Sequence, residues 1–153
     1  MKLRARTNFF SLNRILLNRG VRETMPDHFA WRLKVDGFMP LSIERIGTGP
    51  RDLPLLSVMH WYLQNGDLMR DPDVELEAKW SGSDTKWVFY PTYYRQDNLG
   101  IYDELVWRNE DQLKCRPTRI HSVCSFCETW SSNLKQQGFV ELSQLPDFLT
   151  RTQ

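Results

Sequence analysis

"HWYLQNGDLMRDPDVELEAKW" (60–80) decides how this chain folds. In its last eight residues apolar and charged side chains alternate without a fault. Val74, Leu76, Ala78 and Trp80 point one way, while Asp73, Glu75, Glu77 and Lys79 point the other. A period of two is the signature of a strand with one face on a core. Upstream, Asn65-Gly66 suits the two-residue turn of a β-hairpin, because both residues accept the positive φ that such a turn demands. "LLSVMHWYLQ" (55–64) before the turn is a second, mostly apolar strand.

Further hairpins extend the pattern on both sides. "AWRLKVDG" (30–37) and "FMPLSIERIG" (38–47) are two strands joined at Asp36-Gly37, with Pro40 at a strand start or an edge. "TGPRDLP" (48–54) is a loop, and "SGSD" and "DNLG" turn the chain into "TKWVFYPTYYRQ" (85–96) and "IYDELVW" (101–107). About six strands in hairpin succession predict an antiparallel meander.

Two helices flank the strands. From Thr118 as N-cap, Ile120, Val123, Cys127, Trp130 and Leu134 recur at steps of three and four. Gly138 stands where a left-handed C-terminal cap belongs, and Phe139 can fold back on Leu134. Residues 8–19, "NFFSLNRILLNR", form a short amphipathic helix with Phe9, Leu12, Ile15 and Leu16 on one face and Gly20 at its end. A further short helix is expected near 144–150. The fold class is therefore α+β, a meander of about six strands with one long C-terminal helix laid on a face and a short N-terminal amphipathic helix.

At 153 residues the chain fits one domain able to bury its own core. Net charge is only +1, yet residues 1–22 carry six basic residues and no acid, whereas 23–153 carry 14 basic and 19 acidic residues. The division expected is a basic helical arm over 1–22 and a single α+β domain over 23–153. Cys115, Cys124 and Cys127 are odd in number and follow no signal peptide, so a reducing cytoplasm is expected. No apolar run is long enough to span a membrane.

The carboxylates raise the question of a metal site. Asp67, Asp71, Asp73, Glu75 and Glu77 fall within eleven residues, and Pro72-Asp73 with Glu77-Ala78-Lys79 supplies the letters of a PD-(D/E)xK nuclease. The spacing argues against it. Asp73 and Glu77 stand about 13 Å apart on a straight strand at ~3.3 Å per residue, whereas ligands of one ion converge to within about 2.6 Å of it. The plain reading is a hairpin with a solvated outer face. Zinc at Cys124-Ser125-Phe126-Cys127 would need Cys115, His121 or His60 as further ligands. The two cysteines lie well inside the helix, one of them on its apolar stripe, so buried inert thiols are expected. No catalytic residue, metal site or cofactor is assigned.

Four blocks, "DGFMPLSIERIGTG" (36–49), "HWYLQNGDLMRDPDVEL" (60–76), "YYRQDNLGIYDE" (93–104) and "TWSSNLKQQGF" (129–139), resemble a family of uncharacterised small bacterial proteins encoded largely on plasmids, conjugative elements and phages. The resemblance covers roughly residues 35–140, with "NGDLMRDP" and "NLKQQGF" its more specific parts. It implies a cytoplasmic accessory protein of a mobile element and carries no activity with it.

Three functions follow as expectations. The first is a non-enzymatic protein that binds a host or element-encoded protein, with inhibition of a host-defence nuclease as its specific form. Its surface would be the acidic, aromatic sheet face of Asp71, Asp73, Glu75, Glu77, Trp61, Tyr93 and Tyr94. The second is nucleic-acid binding through Arg4, Arg6, Arg14, Arg19 and Arg22. The third is the metal-dependent nuclease of Asp73, Glu77 and Lys79.

Overall fold

The computed structural model describes residues 5–146. Six strands form one antiparallel sheet in chain order: β1 (Ala30–Leu33), β2 (Leu41–Thr48), β3 (Pro54–Gln64), β4 (Asp67–Ser81), β5 (Lys86–Gln96) and β6 (Ile101–Glu104). It is the expected meander. Asn65 and Gly66 both take positive φ, 53° and 85°, and close the β3–β4 hairpin. β4 begins at Asp67, six residues earlier than the alternation suggests. Pro72 does not stop it, because the register shifts between Met59 and Trp61 and this bulge absorbs the missing amide donor.

The expected strand over 101–107 breaks at Leu105. This fully buried residue donates its N–H to the Thr92 carbonyl, and its own carbonyl accepts from Arg116 N–H. Beyond it, β7 (Val106–Asn109) and β8 (Gln112–Cys115) make a separate small hairpin that the sequence reading missed. Its turn, Glu110-Asp111, has no glycine or asparagine to announce it, although Glu110 adopts φ 58°.

α1 (Phe10–Asn18) and α2 (Pro117–Gln137) lie on one face of the sheet. Pro117 opens α2 at its first turn, where its missing N–H costs nothing, so Arg116 rather than Thr118 occupies the cap. Gly138 ends α2 at φ 95°, as expected. The stripe Ile120, Val123, Cys127, Trp130 and Leu134 is buried against sheet residues including Leu41, Ile43, Val58, Val74 and Leu76. α3 (Phe139–Leu142) follows at once; of the helix expected near 144–150, residues 144–146 are turn and bend, and 147–150 lie outside the described part. Among the described residues no helix is long and apolar enough to cross a membrane.

α1, expected within a basic arm, packs into the core of the fold. Phe9, Leu12, Ile15 and Leu16 are almost wholly buried in the same core as the sheet. β6 pairs β5 only from Tyr93 to Gln96, which leaves the edge of β5 from Lys86 to Pro91 unpaired. The N-terminal segment covers that edge. Thr7 and Phe89 exchange backbone hydrogen bonds, and Trp87 N–H donates to Asn13 Oδ1. Ser11 adds a second tether, its N–H donating to Ser131 Oγ and its hydroxyl to the Ser131 carbonyl. An open strand edge invites pairing with another chain, and this segment closes it.

Candidate functional site

The face of the sheet opposite the helices carries the carboxylates. β4 supplies Asp73, Glu75 and Glu77, and their cross-strand neighbours on β5 are Arg95, Tyr93 and Tyr90. The expectation of a solvated row is corrected here. Glu77 is fully buried and Asp73 nearly so, while Glu75 is half-buried and Lys79 exposed.

Each acid has a partner that the sequence did not announce. The loop joining β2 to β3 folds over Glu77. Arg51 Nη1 donates to its Oε1 at 2.6 Å, and the Arg51 and Leu53 backbone N–H groups donate to Oε2 at 2.9 and 3.4 Å. Gly49 permits this contact, since a Cβ there would overlap the Glu77 carboxylate. Both Glu77 oxygens are thus engaged away from Asp73, and the Asp73–Glu77–Lys79 constellation does not converge. Ser57 Oγ donates to Asp73 at 2.6 Å, and the Arg95 guanidinium pairs with Glu75 and lies 3.6 Å from Asp73. Burial raises the carboxyl pKa of both Asp73 and Glu75, with Ser57 and Arg95 opposing the rise at Asp73 and Arg95 at Glu75.

Two clefts meet at Glu75. One, of about 370 Å³, has Glu44, Asp73, Glu75, Arg70 and Arg95 among its walls, with Ile46, Met59 and Leu68 as apolar lining. The other, of about 450 Å³, runs from the loop over Glu77 to the β7–β8 hairpin and is lined by Tyr93, Trp107, Asp52, Glu104 and Arg108. Arg108 ties the hairpin to the loop by donating to the Pro50 carbonyl.

The aromatic residues expected on this face divide. Trp61 donates from Nε1 to Ser42 Oγ and carries the Arg32 guanidinium 4.7 Å above its ring. Tyr93 packs under Arg95 at 4.3 Å. Tyr94 points the other way, as adjacent strand residues must. It is buried edge-to-face against Phe126 of α2 and does not stand on the acidic face as expected. Asp71 accepts from Gln96 Nε2 at 2.8 Å.

Arg70 and Asp97 form the best-satisfied ion pair of this region. Arg70 donates its backbone N–H and Nε to Asp97 Oδ2 and its Nη2 to Oδ1, and the Tyr102 hydroxyl adds a fourth bond. The Arg70 hydrogen bonds pull the Asp97 pKa down to about 2. A carboxylate held below its ordinary value of 3.8 stabilises the fold above that value, and the contribution is lost as pH falls through about 2. Acid titration of stability should therefore show a loss between about 3.8 and 2 that Asp97→Asn lacks. Equal acid limbs in urea unfolding of the two proteins would refute this.

Of the basic residues expected to act together, the described ones differ in exposure and partners. Arg4 lies outside the described residues, and Arg6 is exposed. Arg14 is exposed on α1. Arg19 donates to the Ser143 and Leu145 carbonyls, and Arg22 lies 5.7 Å over the Trp80 ring. Cys124 and Cys127 are buried, and desolvation pushes their thiols up, Cys124 to about 11. Such thiols stay protonated at neutral pH. His60 is buried between Trp130 and Phe139, its Nδ1 3.2 Å from the Pro40 carbonyl. Among the described residues, no three His, Cys, Asp or Glu side chains are grouped so as to hold a metal ion.

Together these features define a small α+β domain with helices on one sheet face and charged, aromatic-bordered clefts on the other. The chain belongs to the family described as a domain of unknown function (DUF6908), whose model matches residues 11–140. No curated protein and no solved structure matches it.

Proposed function

We propose that this is a non-enzymatic binding protein whose open sheet face receives a basic segment of a protein partner. The observation that carries the reading is the pair of clefts meeting at Glu75, where carboxylates outnumber cations. Glu44, Asp52, Asp73, Glu75 and Glu104 face Arg70, Arg95 and Arg108, and Arg70 is already taken by Asp97. Desolvated carboxylates held in place by Ser57 and Arg95 are pre-organised for an incoming guanidinium or ammonium group. Tyr93, Trp107, Ile46 and Leu68 offer surface to the stem of a long basic side chain.

The resemblance of residues 36–49, 60–76, 93–104 and 129–139 to proteins of plasmids, conjugative elements and phages supports a cytoplasmic accessory role. The partner is then a host or element protein with a basic surface, and a defence nuclease that grips nucleic acid through such a surface is the specific proposal. Blocking that surface would inhibit it without any chemistry by this chain.

The test is affinity capture of the partner followed by titration against Glu75→Lys/Glu104→Lys. Glu75 is only partly buried and Glu104 is exposed, so the variant should fold, which circular dichroism checks. Binding is expected to weaken at least about tenfold, since close charge pairs across interfaces couple by ~1.5 kcal/mol or more. It should also weaken on mild acidification, at a pH above the ordinary carboxylate range, because Asp73 and Glu75 are protonated more readily than free acids. Unchanged binding by the folded variant would exclude this face.

A further inference from the structure

The helical layer has the opposite charge to the sheet. Residues 5–22 and 116–146 carry seven basic and two acidic residues, whereas 23–115 carry ten basic and sixteen acidic. Within that layer α1 and α2 enclose a groove of about 730 Å³, larger than either cleft on the sheet face. Its walls include Phe10, Asn13 and Arg14 from α1 and Glu128, Ser131, Ser132 and Lys135 from α2.

Three features of the groove point to one kind of ligand. Phe10 is 61% exposed at its lip, although the next residue back, Phe9, is wholly buried. A large aromatic ring left in water costs hydrophobic free energy and offers a π face to a planar group. Arg14 stands one helical turn further along the same face of α1, so its Cβ lies about 5–6 Å from that of Phe10. That separation is comparable to the distance from a nucleobase to its own phosphate. Lys135 of α2 lines the same groove as Arg14, and Lys86 of β5 lies 5.7 Å over the Phe10 ring, adding a third cation.

Glu128 is the one acid among the described residues lining the groove, and it keeps its charge. Its Oε1 accepts from Thr7 Oγ1 at 2.5 Å, and it lies seven residues from Lys135, about 10.5 Å along the helix. The Ser132 hydroxyl and Asn13 complete a lining able to bond phosphate oxygens.

We infer that the groove between α1 and α2 is a binding site for single-stranded nucleic acid, with a base stacked on Phe10 and the adjoining phosphates between Arg14 and Lys135. A single strand is favoured over a duplex because only an unpaired base is free to leave its neighbours and lie on a side chain. This site is separate from the acidic sheet face and does not depend on the function proposed for it.

Fluorescence polarisation of a labelled fifteen-nucleotide oligo(dT) with the full chain tests the assignment. Wild type should bind with an affinity that falls with salt, the log–log slope having a magnitude of about 0.7 per phosphate contacted. Arg14→Glu/Lys135→Glu should weaken binding at least about 30-fold and flatten the slope by about 1.4. Phe10→Ala should weaken it about tenfold with the slope unchanged, because it removes stacking and no charge. All three residues are exposed, so the variants should remain folded. A duplex of the same sequence and a free nucleoside monophosphate should bind far less well. Absent oligonucleotide binding at low salt, wild-type affinity in the charge-reversed variant, indifference to Phe10→Ala, or equal affinity for duplex or mononucleotide would each overturn the inference.

Discussion

Glu77→Ala is expected to destabilise the fold by about 3–5 kcal/mol, the range measured when one partner of a buried ion pair is removed. The loss does not come from the ion pair alone. Arg51 is mostly buried, and its guanidinium would face a low-dielectric pocket without a counter-charge. The Arg51 and Leu53 N–H groups would lose the oxygen they share, adding unsatisfied backbone donors. In thermal unfolding this amounts to a fall in Tm of roughly 10 °C for a chain of this size. Glu77→Gln should cost less, since an amide oxygen can still accept from Arg51. Glu77→Leu/Arg51→Met should recover the ion-pair part of the loss, because no charge is then left buried, while the Arg51 and Leu53 N–H groups still lack their acceptor. Gly49→Ala should approach the cost of Glu77→Ala by displacing the carboxylate from its partners, even though neither charge is touched. A Glu77→Ala protein within about 1 kcal/mol of wild type would mean that the loop over Glu77 opens readily to water.

That ion pair also marks where sequence reading stopped. Strand order, the Asn65-Gly66 hairpin, the buried stripe of α2 and its Gly138 cap were all legible. Each is written in local spacing, at a period of two or of three to four, or in a residue that tolerates positive φ. The alternation at 73–80 likewise separated Asp73, Glu75 and Glu77 from Val74, Leu76 and Ala78. It could not say what lies over the charged side. Glu77 is buried by a loop 24–28 residues earlier in the chain, and Asp73 by Ser57 and by Arg95 on the next strand. Those pairings are set by strand register and leave no period. The N-terminal segment misled for another reason. Its six basic residues drew attention, whereas Phe9, Leu12, Ile15 and Leu16 decide where it goes, and they belong to the core. Tyr93 and Tyr94 show the limit at single-residue scale. A bulge between Glu75 and Leu76 sets which of the two tyrosines reaches the open face, and a run of adjacent aromatics carries no sign of it.

Trp130→Ala should be the most damaging single truncation in the helical layer, at about 3–5 kcal/mol and roughly 10 °C in Tm. Trp130 joins three elements at one point. Its ring lies 5.6 Å from Phe9 at the start of α1, 5.5 Å from Phe126 within α2 and 5.4 Å from His60 on β3. Removing the indole opens a cavity between the sheet and both helices, and its rigid neighbours cannot collapse into it. Trp130→Phe should cost much less, because the indole Nε1 makes no hydrogen bond among the described residues that a phenyl ring would forfeit. His60 supplies a second readout. Desolvation lowers its pKa below the ordinary 6.5, so the unfolded chain takes up a proton there before the folded one does. Stability from the neutral imidazole is therefore fully present above pH 6.5 and is lost as pH falls through the depressed value. A cavity that admits water beside His60 relieves the desolvation. In Trp130→Ala the His60 titration, followed by its ring proton resonances, should move up toward 6.5, and this part of the acid sensitivity should shrink. If Trp130→Ala lowers Tm but leaves the His60 titration where it was, the site has closed around a dry void, and burial of His60 is maintained by Phe139 and the sheet rather than by the indole.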